Sequence, residues 1–221
     1  MPTVTIGFLG GTGDQGRGLA RRLAMAGHDV ALGSRDPQRA QAAASDLLGT
    51  LPDGSGAVTG ASNADVAAGC DVVVVAVPYD AHEALLSGLA APLAGKVVVD
   101  CVNPLGFDAK GGFPLEVAAG SAAEEAASLL PDSTVVAAFH HVSAVLLLDP
   151  AVESVDTDVM VLGDDRAATD TVIELAGAIT GVRGIYAGRL RNARQVEALT
   201  ANLISVNRRY KAHAGLRVTD V

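Results

Sequence analysis

The chain has 221 residues, 49% of them hydrophobic and 19% charged, which excludes a disordered chain and allows one ordinary domain with a real core. A net charge of -9 argues against nucleic acid or an anionic membrane as a partner, and no apolar stretch nears the roughly 20 residues that span a bilayer. Two cysteines are too few for a disulfide framework, and the N-terminus lacks a basic region followed by a long apolar one, so a soluble, reduced, cytoplasmic protein is expected.

Short apolar runs alternate with helical patterns from the start. Val4–Leu9 reads as a buried strand. Gln15–Ala26 reads as a helix that Gly27 stops. Val30–Leu32 is the next strand, and Asp36-Pro37 marks a capped helix start, with the helix running to about Leu48. After a Pro/Gly/Ser loop at Leu51–Gly56, a short strand at Ala57–Thr59 and a helix capped by Asn63 are expected. Val72–Val77 is an unbroken β-branched run ended by Pro78, as in a strand covered on both faces. His82–Leu89 reads as helix and Lys96–Asp100 as strand. Residues 102–114 hold three glycines and two prolines without periodicity and read as a loop. Ser121–Leu130 (helix), Val135–Ala138 and Val159–Leu162 (strands), Ala167–Ile179 (helix) and Ile185–Ala187 (strand) follow. The long helix Asn192–Arg209 has Val196, Leu199, Leu203 and Val206 at helical spacing. This alternation predicts an α/β fold: a doubly wound, mostly parallel Rossmann-type sheet over residues 1–188 and a small C-terminal helical part over 189–221.

The sharpest local signal is Gly11-Thr12-Gly13-Asp14-Gln15-Gly16, which follows the first strand and opens the first helix. In that context the first glycine makes the turn, the second lets a pyrophosphate approach the backbone, and the third lets helix and strand pack closely. The helix N-terminus adds free N–H groups and a partial positive charge. An NAD site would place a carboxylate at the end of the second strand. Here that end reads Gly33-Ser34-Arg35, and Arg39 follows one helical turn later. Ser34 can donate a hydroxyl, and the two guanidinium groups suit a 2′-phosphate, so the dinucleotide is NADP(H). Asp36 is better used as a helix cap.

No clustered metal ligands, GxSxG or CxxC occur, so no metal is expected. Cys70 and Cys101, flanking apolar strands, read as buried thiols. His140 follows a strand at the carboxyl end, where open α/β sheets bind ligands. Of the pair His140-His141, His140 is the candidate catalytic residue. Tyr79 after Pro78 either stacks beside a nicotinamide or covers the sheet edge. Residues 183–221 carry eight Lys and Arg against two Asp and Glu, a local +6 on a body of -15. Such a region suits a subunit interface or an anionic ligand.

The sequence resembles the NADPH-dependent reductases of the deazaflavin coenzyme F420 over nearly its whole length. The resemblance rests on Gly10–Ala20, Gly33-Ser34-Arg35, Val77-Pro78-Tyr79, Phe139–Ala144, Gly163-Asp164-Asp165 and Ala193–Thr200. It implies nucleotide contacts at Thr12, Gly13, Asp14, Gln15, Ser34, Arg35 and Arg39. It implies nicotinamide-side contacts at Val77, Tyr79, His140 and Ala144, and deazaflavin-side contacts at Val142, Ala214 and Gly215. Hydride then passes directly between the two rings, so proximity and orientation supply most of the catalysis. The natural F420 tail is anionic, so Arg208, Arg209 and Lys211 are expected to draw it in. A cytoplasmic homodimer is the expected assembly. An imine or carbonyl reductase of the same fold, or a non-enzymatic NADP(H) redox sensor, are the alternatives. The first usually adds a long helical dimerisation domain, for which the residues after Gly188 are few.

Overall fold

Unbroken β-branched strands need cover on both faces. The computed structural model, which describes residues 4–221, provides it. The strands are β1 (Ile6–Leu9), β2 (Val30–Ser34), β3 (Val58–Ser62), β4 (Val72–Val75), β5 (Val97–Asp100), β6 (Leu105–Asp108), β7 (Gly111–Pro114), β8 (Thr134–Ala137), β9 (Thr157–Gly163) and β10 (Val182–Gly188). Eight of them form one sheet in the order β10-β9-β8-β5-β4-β1-β2-β3, parallel throughout except where β9 runs antiparallel to β8. The helices are α1 (Asp14–Met25), α2 (Pro37–Leu48), α3 (Asn63–Gly69), α4 (His82–Ser87), α5 (Ala90–Leu93), α6 (Ala122–Leu129), α7 (Ala144–Leu148), α8 (Arg166–Gly177) and α9 (Ala193–Tyr210).

Side chains along a strand point alternately to opposite faces, and the two cores divide accordingly. Ile6, Phe8, Val72 and Val74 join Leu19 and Leu23 of α1, Leu47 of α2 and Val172 of α8 on one face. Leu9, Val73 and Val75 join Val66 of α3, Leu86 of α4, Ala126 of α6 and Val196 of α9 on the other. Each buried leucine contributes roughly 1.5–3 kcal/mol. Sheet order reverses between β1 and β4, so the segments leaving their carboxyl ends diverge and open a crevice.

The helix starts follow the local chemistry. Asp36 caps α2 by accepting from the Gln38 and Arg39 N–H groups, with Pro37 in the first turn. Two expectations need correction. Ser62, not Asn63, caps α3, through the Asp65 N–H. The glycine- and proline-rich stretch 102–114 contains the β6–β7 hairpin, apart from the main sheet and packed on α9. Its turn is made by Asp108, whose carboxylate accepts from the Lys110 and Gly111 N–H groups, and by Gly111 at φ +127°. Pro114 falls at its end, where no ladder donor is lost. The short helix α7 lies against α1 because Gly18 has no side chain: a Cβ there would sit 2.8 Å from Cβ of Leu147. The last residues are held in place. Arg183 and Arg217 tie residues 214–218 to the start of β9.

Candidate active site

The crevice between β1 and β4 holds a cavity of about 870 Å³. Thr12 and Gly13 from the turn after β1 line it, with Ser34 at the end of β2, Arg35 and Arg39 beyond it, and Val77 after β4. These are six of the residues expected to bind cofactor, and they come from three elements distant in sequence.

The glycines separate by what each must avoid. Gly10, at φ +69°, makes the turn. A Cβ at Gly11 would lie 2.8 Å from the Phe8 carbonyl oxygen, and one at Gly16 would lie 2.8 Å from Cα of Gly11. Those two are required by the protein's own packing. Gly13 differs: a Cβ there would meet only the Gly10 carbonyl, at 3.5 Å, and its backbone is extended. Among the described residues nothing demands glycine at 13, whereas a ligand pressed to the backbone would. No side chain caps the N-terminus of α1, so its first N–H groups are left for an anion.

At the β2 end of the crevice, the Ser34 hydroxyl accepts from the Asp36 N–H at 3.2 Å and keeps its own proton to donate. Asp36 is occupied as the helix cap. Arg35 and Arg39 are exposed, and neither forms an ion pair among the described residues. Two guanidinium groups with no ion pair, beside a hydroxyl, fit a phosphate monoester. Asn63, which sequence reading used only as a cap, also lines the cavity. Its side-chain oxygen accepts from the Gly10 N–H at 3.2 Å and so braces the turn.

His140, Val142, Ala144, Ala214 and Gly215 lie in a second group, at residues 139–144 and the C-terminus. Gln15 links the two groups: its side-chain amide donates to the Phe139 carbonyl at 3.3 Å. Phe139 is held at φ +63°, a conformation that costs a bulky residue about 1–3 kcal/mol and gathers at functional sites. Asp14, by contrast, pairs with Arg17 at 2.9 Å. Behind α7, buried Arg22 donates to the carbonyls of Leu146, Leu147 and Asp149 and fixes the segment against α1. Val142, Ala214 and Gly215 line one small cavity with Ser143 and His213, and Ala144 begins α7.

His140 is buried and lies outside the 870 Å³ cavity. Its carbonyl accepts from the Asn103 amide at 2.7 Å and the Thr200 hydroxyl at 3.2 Å, while neither ring nitrogen has a partner among the described residues. Burial, reinforced by His141, outweighs the pull of Asp100 and pushes its pKa down to about 4, so the ring is neutral at pH 7. His141 spends Nε2 on the Asp158 carbonyl at 2.7 Å. Tyr79 donates its hydroxyl to Glu125 at 3.3 Å and packs on the α6 side of the sheet, outside the large cavity.

One buried network went unread in the sequence. His82 bonds Asp100 through Nε2 at 2.6 Å and Glu125 through Nδ1 at 2.8 Å. Burial opposes its charge, but the two carboxylates carry its pKa above the ordinary value. Nearby, Glu197 accepts from the Ala122 and Ala123 N–H groups at the start of α6. A lone histidine at a helix start gives no sequence signal for such a partner set. Cys70 and Cys101 are buried, and burial raises both thiols. Among the described residues no group of three or more His, Cys, Asp or Glu side chains is placed to hold a metal, and no helix is long and apolar enough to cross a membrane.

Against known proteins, residues 5–104 match the family described as NADP oxidoreductase, coenzyme F420-dependent. The F420-dependent NADP reductase of Methanothermobacter thermautotrophicus is 42% identical over 221 residues, covering 98% of this chain and 95% of that protein. The reductase of the same name from Methanocaldococcus jannaschii is 38% identical, with 98% of each chain covered. A crystal structure from Arthrobacter sp. FB24, assigned to F420-dependent NADP-reductases, superposes with a TM-score of 0.82 at 32% identity, covering 98% of this chain and 99% of that one.

Proposed function

This chain belongs to the family of F420-dependent NADP reductases, and from that premise we propose that it moves a hydride between NADP(H) and the deazaflavin coenzyme F420. The observation that carries the nucleotide half is the open backbone at Gly13, in one cavity with Arg35 and Arg39, neither of which has an ion pair among the described residues. In this reading Gly11 and Gly16 shape the turn, and Thr12, Gly13, Asp14 and Gln15 bind pyrophosphate through main-chain N–H groups and the Thr12 hydroxyl. Ser34, Arg35 and Arg39 hold the 2′-phosphate. Val77, Tyr79, His140 and Ala144 border the nicotinamide. Val142, Ala214 and Gly215 border the deazaflavin, so the part from residue 189 onward completes a site that the first 188 residues begin.

Once bound, the two cofactors supply the chemistry themselves, a hydride given by one ring and taken by the other. The protein's work is to hold them at reacting distance and keep the meeting point dry. His140 suits this role because burial keeps it neutral. It offers a hydrogen bond at the ring edges without adding a charge that would favour one redox state. A groove of about 570 Å³ between the β6–β7 hairpin and α9 adds a place for the anionic tail of F420. Phe107, Lys110, Arg208 and Arg209 line it, and Lys110 joins the cations expected from sequence. The reading includes a homodimer in the cytoplasm, with cofactors as its only other partners.

The test is NADPH oxidation by purified protein with F420, followed at the deazaflavin absorbance. Turnover should require F420 and prefer NADPH to NADH. Gly13→Val should abolish NADPH binding while the circular dichroism spectrum is unchanged. Undiminished NADPH titration in that variant, or no F420 reduction by wild type, would overturn the reading.

A further inference from the structure

The C-terminal residues are held by a buried carboxylate. Asp158, near the start of β9, has a side chain with no exposure to solvent. Arg183 on β10 donates to both its oxygens, Nε to Oδ1 and Nη2 to Oδ2, each at 2.7 Å. Arg217 reaches Oδ1 at 2.6 Å and also pairs with Asp156. The Val218 N–H reaches Oδ2 at 2.6 Å. Arg183 further donates to the carbonyls of Val218 and Val221, at 2.9 and 3.0 Å. The main chain joins in: the Asp158 N–H donates to the Leu216 carbonyl at 2.8 Å, and the Leu216 N–H to the Thr157 hydroxyl at 3.0 Å.

Between these anchors the chain is pressed against the sheet edge. A Cβ at Gly215 would lie 2.6 Å from the Thr157 hydroxyl, so only glycine passes there. That approach sets His213, Ala214 and Gly215 opposite Val142 and Ser143. On its other side Asp158 offers its carbonyl to His141. One residue therefore fixes both the last segment of the chain and the segment after β8. The Arg183 guanidinium, by its hydrogen bonds, holds the Asp158 carboxyl below the usual carboxylate range.

We propose that Asp158, with Arg183 and Arg217, is a clasp that positions the C-terminal segment to form the deazaflavin half of the site. The inference rests on the reading that Val142, Ala214 and Gly215 face the deazaflavin. Asp158 is a positioning residue: it acts through residues 213–218 and touches neither cofactor. It explains where two of the eight cations of the basic region go. Arg183 and Arg217 bind the fold itself, Arg189 lies beside Asp164, and Arg208 and Arg209 line the groove against the β6–β7 hairpin, while Lys211 lies outside it.

The test uses full-length Asp158→Asn and, as a milder change at a half-exposed partner, Arg217→Gln. Hydrogen exchange of residues 212–218, measured without cofactors, reads the clasp. NADPH affinity and the KM for F420 read its consequence. Both variants should exchange faster in that segment. The KM for F420 should rise roughly ten-fold in Asp158→Asn, the size expected on losing one charge-assisted set, and less in Arg217→Gln. NADPH affinity should stay unchanged, and Arg217→Lys should restore most of the KM. Unchanged exchange in both variants would show that the clasp does not hold the segment. Faster exchange with an unchanged KM for F420 would show that the segment is not part of the deazaflavin site. Equal loss of NADPH and F420 affinity would show a general structural role and overturn the proposal.

Discussion

A residue's chemistry is legible in sequence when its partners are its neighbours. Ser34, Arg35 and Arg39 lie within two turns of chain, and the absence of a carboxylate at the end of β2 is a local fact. The structure gathers all three at one cavity and leaves both guanidinium groups unpaired among the described residues. Arg35→Ala should remove a charge-assisted contact worth about 1.5–3 kcal/mol, a loss of roughly 10- to 150-fold in NADPH affinity. NADH affinity should hardly change, because NADH has no 2′-phosphate. Isothermal titration with both nucleotides checks this, and an equal loss for both would make Arg35 a structural residue. Asn63, Asn103 and Thr200 were not legible as site residues. Each acts on a backbone group far off in sequence, Gly10 in the first case and His140 in the others.

At the scale of elements, periodicity located the helices and strands that bury a long apolar face, and it missed those that do not. The β6–β7 hairpin and α7 are short and owe their form to tertiary cover from α9 and α1. The pairing of α6 with α9 is a case where an element's end is satisfied by a distant side chain. Glu197, buried, takes the Ala122 and Ala123 N–H groups that α6 leaves unpaired. Burial nevertheless outweighs these bonds and raises its pKa to about 7, so the folded protein holds the proton more tightly than the unfolded chain does. Stability from this group is present below the unfolded value of 4.5 and is lost as pH rises toward 7. Glu197→Gln removes that titration. Thermal melts between pH 4.5 and 8 should show the wild-type advantage shrinking as pH rises. An advantage that grows with pH would mean that the two N–H bonds prevail over burial.

Across the whole molecule, charge is the quantity that a sum conceals. The net -9 divides into an acidic body and a basic C-terminal region, and an anionic cofactor approaching the protein meets both. Lys110 from the hairpin and Arg208 and Arg209 from α9 face one groove, a grouping made only by folding. The KM for F420 should rise steeply with ionic strength in wild type. A variant with Lys110, Arg208 and Arg209 replaced by Gln should start weaker and respond less, each exposed contact being worth only about 0–1 kcal/mol. Matching salt slopes would assign these cations to solubility or to contact between subunits. The sequence by itself determined the succession of the main-sheet strands and the long helices between them, the glycine turn after β1 and the choice of NADP(H). Each of these follows from residues close along the chain, where steric and hydrogen-bonding rules are local. Only the tertiary structure decided the antiparallel β9, the buried His82 between Asp100 and Glu125, and the Asp158 clasp on the last residues. The orientation of β9 is set by its pairing with a strand distant in sequence, and the other two depend on carboxylates and cations brought together from 18 to 59 positions apart, which no local rule anticipates.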